Sequence, residues 1–82
     1  MKDAGIHLHL EPLEEGGFVA TSPDVPGLVA QGRTIDEAIE IAQDLARIIA
    51  ESCVAHGDPL PPALKGFTTD TRLDFFVPVS IP

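Results

Sequence analysis

The sequence is poor in cysteine, in basic side chains and in long apolar runs. Its one cysteine, Cys53, excludes a disulfide framework and favours a cytoplasmic location. Only 5 lysines and arginines stand against 13 acids, and the resulting net charge of −8 argues against direct binding of DNA or RNA, because it repels phosphates. No apolar run approaches the roughly 20 residues of a membrane span. No basic segment followed by an apolar stretch opens the chain, so neither export nor membrane association is expected.

Length and apolar content together indicate one small folded domain. Hydrophobic residues make up 44% of the chain, a value typical of globular rather than disordered proteins. A chain of 82 residues buries only roughly 60% of its unfolded surface, so its apolar residues must share a single two-layer core. The sequence therefore predicts one domain that spans residues 1–82.

Alternating apolar residues and turn signals predict four strands. The strands occupy residues 6–11, 18–21, 28–31 and 72–79. Gly16 and Gly17 supply a hairpin turn between the first two strands, and the proline-rich run 22–27 supplies the next turn. Pro78 has no N–H to donate, so the last strand is expected at a sheet edge, at least on the side where that amide would point.

A long helix is predicted between the third and fourth strands. Thr34 and Glu37 have capping-box spacing, in which the hydroxyl and the carboxylate each bond an amide at the start of the helix. Good helix formers continue to about His56, where Gly57 can end the helix. The predicted order is β-β-β-α-β, an α+β fold. In it one helix crosses a face of an antiparallel meander, and a right-handed crossover returns the last strand.

The apolar arc of this helix is wider than packing on one sheet requires. It covers roughly 200°, whereas about 100° suffices to lie on a sheet. The predicted arc has a central stripe and two flanks: Ala38, Ala42, Leu45 and Ile49 in the stripe, Ile41 and Ile48 on one flank, and Ile39, Ala46 and Ala50 on the other. We therefore expect part of the helix to contact another copy of the chain, in a dimer or higher oligomer, with a two-fold dimer favoured by symmetry.

Residues that could support catalysis are few and scattered. His7 and His9 project from one face of the first predicted strand beside Glu11, a pattern that could hold a divalent metal in a small hydrolase. An ordinary polar sheet face or an oligomer contact is the preferred interpretation, and no metal or cofactor is expected. Cys53 and His56 stand one turn apart, but the C-terminal end of a helix is electronegative and disfavours a thiolate. The acids form no cluster of the kind that two-metal chemistry needs, so the sequence predicts a protein without enzymatic activity.

Three motifs occur in a fixed order along the first half of the chain. They are EEGGFVA at residues 14–20, SPDVPG at residues 22–27 and QGRTIDEAI at residues 31–39. Together they combine a glycine hairpin, a P-D-x-P-G turn and a G-x-T-x-x-E-A helix start. In this combination the chain resembles the HicB-like antitoxin family. It departs from the common pattern at Phe18, Leu28 and Arg33, where a tyrosine, a cysteine and an acid are common, and these changes leave the turn and cap chemistry intact.

The resemblance implies a fold and a partner. It implies a partial ribonuclease-H-like fold in which the last strand lies beside the first and parallel to it, giving the sheet order 3-2-1-4. It also implies a protein partner, a small basic HicA-type toxin that cleaves mRNA. Many HicB proteins carry a C-terminal DNA-binding domain, whereas this sequence stops at Pro82. A short single-domain member that does not itself bind DNA is therefore expected.

These observations favour a non-catalytic module that binds a basic toxin through an acidic surface. Complementary charge raises the rate of encounter, and buried apolar contacts must supply much of the affinity. The predicted partner-binding residues are Glu14, Glu15, Asp36, Glu37, Glu40 and Asp44. Two alternatives stay open, a small metal-dependent hydrolase that uses His7, His9 and Glu11, and a structural or ligand-binding homologue that has no toxin.

Overall fold

The computed structural model of the chain describes residues 3–68 and 70–78 and contains five strands and one long helix. The elements follow the order β1 Asp3–His7, β2 His9–Pro12, β3 Phe18–Thr21, β4 Val29–Gly32, α1 Ile35–His56, a single 3-10 turn Pro62–Leu64, and β5 Arg72–Phe76. The α+β class predicted from the sequence is confirmed. Val79, expected at the end of the last strand, lies outside the described residues. Among the described residues, no helix has both the length and the apolarity needed to cross a lipid bilayer.

The strands form two sheets instead of the single sheet that was expected. β2, β3 and β4 make an antiparallel sheet in that order, and β1 pairs in parallel with β5. The predicted meander and the parallel return of the last strand are both present. The expectation of one continuous first strand is wrong, because that strand is interrupted at Leu8 and divided between the two sheets. The ribonuclease-H-like classification stays a prediction.

Pro78 explains why the parallel sheet stops at this point. The Leu8 N–H donates to the carbonyl oxygen of Phe76 at 2.9 Å. In a parallel ladder the next bond would run from the amide of residue 78 to the carbonyl of Leu8, and proline has no N–H to give. β5 pairs only with β1 among the described strands, as the edge prediction required. The nitrogen of Pro78, however, faces β1 and not solvent, so its lack of an N–H ends the pairing between these two strands.

Helix α1 begins and ends as the sequence predicts. The Glu37 N–H donates to Thr34 Oγ1 at 3.1 Å, and the Glu37 carboxylate accepts from the Arg33 N–H at 3.2 Å. The carboxylate thus bonds the amide one residue before the cap. At the other end Gly57 takes a left-handed conformation, with φ of 69°, that few other residues adopt. The Asp58 N–H then donates to the Cys53 carbonyl at 2.9 Å and closes the last turn.

The buried face of α1 is a row of alanines at four-residue spacing, Ala38, Ala42, Ala46 and Ala50. The predicted stripe placed Leu45 and Ile49 at its centre, and the structure makes both of them half-buried flanks of the alanine row. The small alanine side chains allow α1 to lie close to β4 and β3, against which it packs. Ile48, on the predicted flank, is 58% exposed. Part of the wide apolar arc is therefore exposed to solvent.

Helix and sheet approach each other closely at Gly32, the last residue of β4. A Cβ atom placed on Gly32 would lie 2.5 Å from the backbone nitrogen of Ala38 and 2.9 Å from its Cα. Backbone atoms cannot move aside as a side chain can. A glycine at this position is therefore what lets α1 start against the sheet.

Gly32→Ala is expected to destabilise the fold by about 1–3 kcal/mol, because the new methyl group forces the helix away from the sheet. Chemical denaturation followed by far-UV circular dichroism measures the change. Gly5→Ala is the matched control, since a Cβ there would meet the Phe76 ring, a side chain that can rotate away. Equal losses in the two variants would contradict the packing argument.

Candidate protein-binding surface

The six predicted partner-binding acids are all exposed. Glu14 and Glu15 lie in the turn between β2 and β3, and the other four lie in the first half of α1. Asp36, Glu40 and Asp44 follow one another at four-residue spacing, so they form a row on the outer side of the helix. We call this set the acidic row.

No basic side chain of α1 neutralises the acidic row. The single arginine of α1, Arg47, donates to the carbonyl oxygen of Thr71 at 3.3 Å, and its guanidinium lies 5.7 Å from the centre of the Phe67 ring. Ion pairs within the described ranges join His7 to Asp24 and Arg72 to Asp74. The acidic row therefore faces solvent without an ion-pair partner among the described residues.

The turn between β2 and β3 brings Glu15 close to Glu37 at the start of α1. Two backbone hydrogen bonds close this turn. The Leu13 N–H donates to the Gly17 carbonyl, and the Gly16 N–H donates to the Leu13 carbonyl, each at 3.0 Å. Gly17 packs so closely on β4 that a Cβ there would lie 2.7 Å from the Gly32 carbonyl oxygen. An open groove of about 560 Å³ results, with Glu15 and Glu37 among its lining residues.

The structure therefore assembles part of the predicted site and separates the rest. Glu15 and Glu37 share the groove, whereas Glu14 and the acidic row do not line it. Glu37 also carries a structural bond to the Arg33 amide. Its replacement would disturb the helix cap as well as any partner, which makes it a poor probe of binding.

The histidine pair does not form the metal site considered from the sequence. His7 Nδ1 lies 2.9 Å from Asp24 Oδ2, and the His7 ring lies against Phe76 with the centres 5.4 Å apart. His9 belongs to the next strand, β2. Within residues 3–68 and 70–78, no group of three or more His, Cys, Asp or Glu side chains has a geometry that could hold a metal ion.

The cysteine and histidine at the end of α1 are also separate. His56 Nδ1 lies 2.8 Å from the carbonyl oxygen of Ser52 and 3.4 Å from its hydroxyl. Cys53 is half-buried. The hydrogen-bond contacts of the His56 ring are thus with Ser52 of its own helix.

A second groove, which the sequence analysis did not predict, lies at the outer edge of β2. It has a volume of about 340 Å³ and is lined by Leu10 and Phe18 from the sheet, Ile35 and Ile39 from α1, and Val77 and Pro78 after β5. We call it the edge groove. Its residues come from three distant parts of the chain, so the only local signals were an isoleucine in the first turn of the helix and a proline in the last predicted strand.

Asp24, in the turn between β3 and β4, ties that turn to β1. Its carboxylate accepts the His7 N–H at 2.7 Å and lies 2.9 Å from the His7 ring nitrogen. The backbone hydrogen bond from His7, helped by the bond to its ring, holds the pKa of Asp24 below its usual value. The Asp24 carboxylate therefore accepts the His7 N–H in place of a backbone carbonyl of β3, because β3 ends at Thr21.

Asp24→Asn is expected to lower the free energy of unfolding by about 1 kcal/mol at pH 7, since the amide is a weaker acceptor than the carboxylate. Because the pKa of Asp24 is lower in the folded than in the unfolded protein, its carboxylate stabilises the fold at pH values above the unfolded pKa. That stabilisation is lost as the pH falls through the folded pKa. The Asp24 carboxyl is by then protonated in the unfolded chain, and folding must remove that proton before the hydrogen bonds to His7 can form. The difference between wild type and variant should therefore shrink below about pH 4.

Urea denaturation at a series of pH values measures this difference. The matched control is Asp58→Asn, which removes an exposed carboxylate just after α1. A difference between wild type and Asp24→Asn that is the same at pH 3 and pH 7 would show that the charge of Asp24 does not stabilise the turn.

Comparison with known proteins places the chain in a family. No family model matches it. It is 51% identical over 35 residues to Antitoxin HicB 1 of Photorhabdus laumondii, an alignment that covers 43% of this chain and 23% of that protein. It is 38% identical over 50 residues to a UPF0150 protein of Synechocystis sp., covering 61% of this chain and 68% of the relative. The chain belongs to the UPF0150 family, a HicB-like family, as the three sequence motifs indicated.

Proposed function

We propose that this protein is a cytoplasmic antitoxin that neutralises a small basic HicA-type mRNA-cleaving toxin by direct binding and has no catalytic activity of its own. The observation that carries the proposal is the acidic row, which is exposed and forms no ion pair with the described residues, on a helix capped at both ends. The similarity to an antitoxin of the HicB type supports the same role.

Charge explains why such a partner suits this surface. A protein that cleaves RNA must attract phosphates, so its active face carries positive charge. The net charge of −8 and the acidic row give this protein a complementary field. Complementary fields speed encounter and orient the two proteins before contact. An acidic protein seated on that face excludes RNA both by occupying space and by cancelling the attraction for phosphates.

Co-expression tests the proposal directly. A HicA-type toxin expressed alone arrests growth, and growth should recover when this protein is expressed with it. Continued arrest in the presence of soluble, folded protein would show that the proposed function is wrong.

The double variant Glu40→Lys/Asp44→Lys should bind the toxin about tenfold more weakly at physiological salt, and the defect should shrink at high salt, because mobile ions screen exposed charges. Titration calorimetry at several salt concentrations measures it. The double variant Asp58→Lys/Asp70→Lys makes the same change in net charge at exposed acids outside α1. If both variants bind equally, net charge and not the acidic row governs recognition.

We also propose that the protein associates with itself through the outward part of the apolar arc. Ile41 and Leu45 are half-buried and Ile48 is 58% exposed, and their spacing places all three on one stripe of α1. Exposed apolar stripes of this kind commonly mark protein contacts.

Ile48→Gln should shift the molar mass in solution toward the 8.7 kDa of a single chain, because a polar group replaces an apolar contact. Size-exclusion chromatography with light scattering measures the mass. Val54→Gln, at a residue that is 54% exposed nearer the end of α1, is the control and should leave the mass unchanged. Wild-type protein that is monomeric at micromolar concentration would contradict self-association through this stripe.

A further inference from the structure

The edge groove is an apolar surface that the acidic row does not explain. All of the side chains that line it are apolar. Ile35 is 45% exposed although it stands at the start of α1, where a polar residue would be equally compatible with the helix. The edge groove has a volume of about 340 Å³, which is enough for a large aliphatic or aromatic side chain.

The backbone N–H and carbonyl of Leu10 lie at the outer edge of β2, beside the edge groove. The bond from Leu13 N–H to the Gly17 carbonyl fixes the sidedness of the β2–β3 ladder, so that His9 and Glu11 bond to β3 and Leu10 points the other way. β2 pairs with β3 and with no other described strand. Pro12 has no N–H to offer at this edge, and no residue within 3–68 or 70–78 accepts a hydrogen bond from the Leu10 N–H.

This geometry suits an extended segment of another polypeptide. Such a segment can bond the N–H and carbonyl of Leu10 and place its own side chains toward the sheet, which is how peptides add to open strand edges. The prolines on either side keep the added pairing short. A short backbone contact must then gain its affinity from a side chain, and the groove beside Leu10 provides the place for one.

Charge identifies the kind of partner. Asp36 and Glu40 each follow directly after an isoleucine of the groove, about 100° further round α1, so the first two carboxylates of the acidic row lie next to the helix wall of the groove. A second copy of this chain would bring another net charge of −8 to this region. A partner with lysines or arginines beside its apolar residue would instead meet the acidic row.

We infer that the edge groove receives one large apolar side chain from an extended, cation-bearing segment of the partner, with backbone pairing at Leu10. The inference rests on the proposed function and specifies how the basic toxin is held. The acidic row orients the partner, and the groove supplies the desolvated apolar contact that makes a complex long-lived.

The first experiment measures binding of a purified HicA-type toxin by titration calorimetry. Ile35→Gln should weaken binding about tenfold, as expected for loss of a central apolar contact. Val54→Gln removes an apolar residue of similar exposure that does not line the edge groove, and its affinity should equal that of the wild type. If Ile35→Gln binds as tightly as Val54→Gln while the wild type binds the toxin, the groove inference is wrong and the proposed function stands. If the wild type does not bind, both are wrong.

The second experiment uses wild-type protein and so does not depend on the folding of a variant. Amide hydrogen exchange resolved by residue compares the free protein with its toxin complex. The Leu10 amide should exchange quickly in the free protein and at least tenfold more slowly in the complex. The amides of His9 and Glu11 already bond to β3 and serve as internal controls. A Leu10 amide that exchanges equally fast in the complex would overturn the pairing at this edge.

Discussion

The close approach of α1 to β4 is the constraint on which most of the fold depends. Gly32 leaves no room for a Cβ against the backbone of Ala38, and the alanine row that begins at Ala38 continues this contact along the helix. Small residues on both partners let the helix and the sheet approach closely, where dispersion contacts between them are strong. The larger isoleucines and leucine of α1 are then displaced to its flanks. Their displacement produces both the exposed stripe near Ile48 and the helix wall of the edge groove.

The motifs that carry the family resemblance are explained by the fold. The hairpin glycine Gly17 packs on the Gly32 carbonyl, Asp24 of the P-D-x-P-G turn bonds the amide of His7, and Thr34 caps α1. Each of these residues satisfies a backbone requirement that few other side chains meet. A motif of this kind identifies the family and predicts its architecture. It does not by itself locate a binding surface, because residues that meet a partner need only exposure and charge.

Local signals predicted what is local in this structure. The helix bounds follow from Thr34 and Gly57, and the strand positions follow from alternation, so these could be predicted from the sequence. The break at Leu8 could not, since it depends on the register that opposes Leu8 to the residue before Pro78, some seventy positions along the chain. The exposure of the acids was predictable, but the edge groove was not, because it forms only when three segments meet.

Repulsion among its exposed carboxylates opposes the stability of α1. The exposed carboxylates near its start favour the helix through its dipole, but the row continues beyond the first turn, where that benefit fades and mutual repulsion remains. With Arg47 engaged by the loop before β5, no cation of the helix relieves this repulsion. A cationic partner would relieve it on binding. Partner binding and folding are then linked, since any ligand that binds only the folded chain stabilises it. A helix fixed by its caps and its alanine row can carry such a charge without a bound partner.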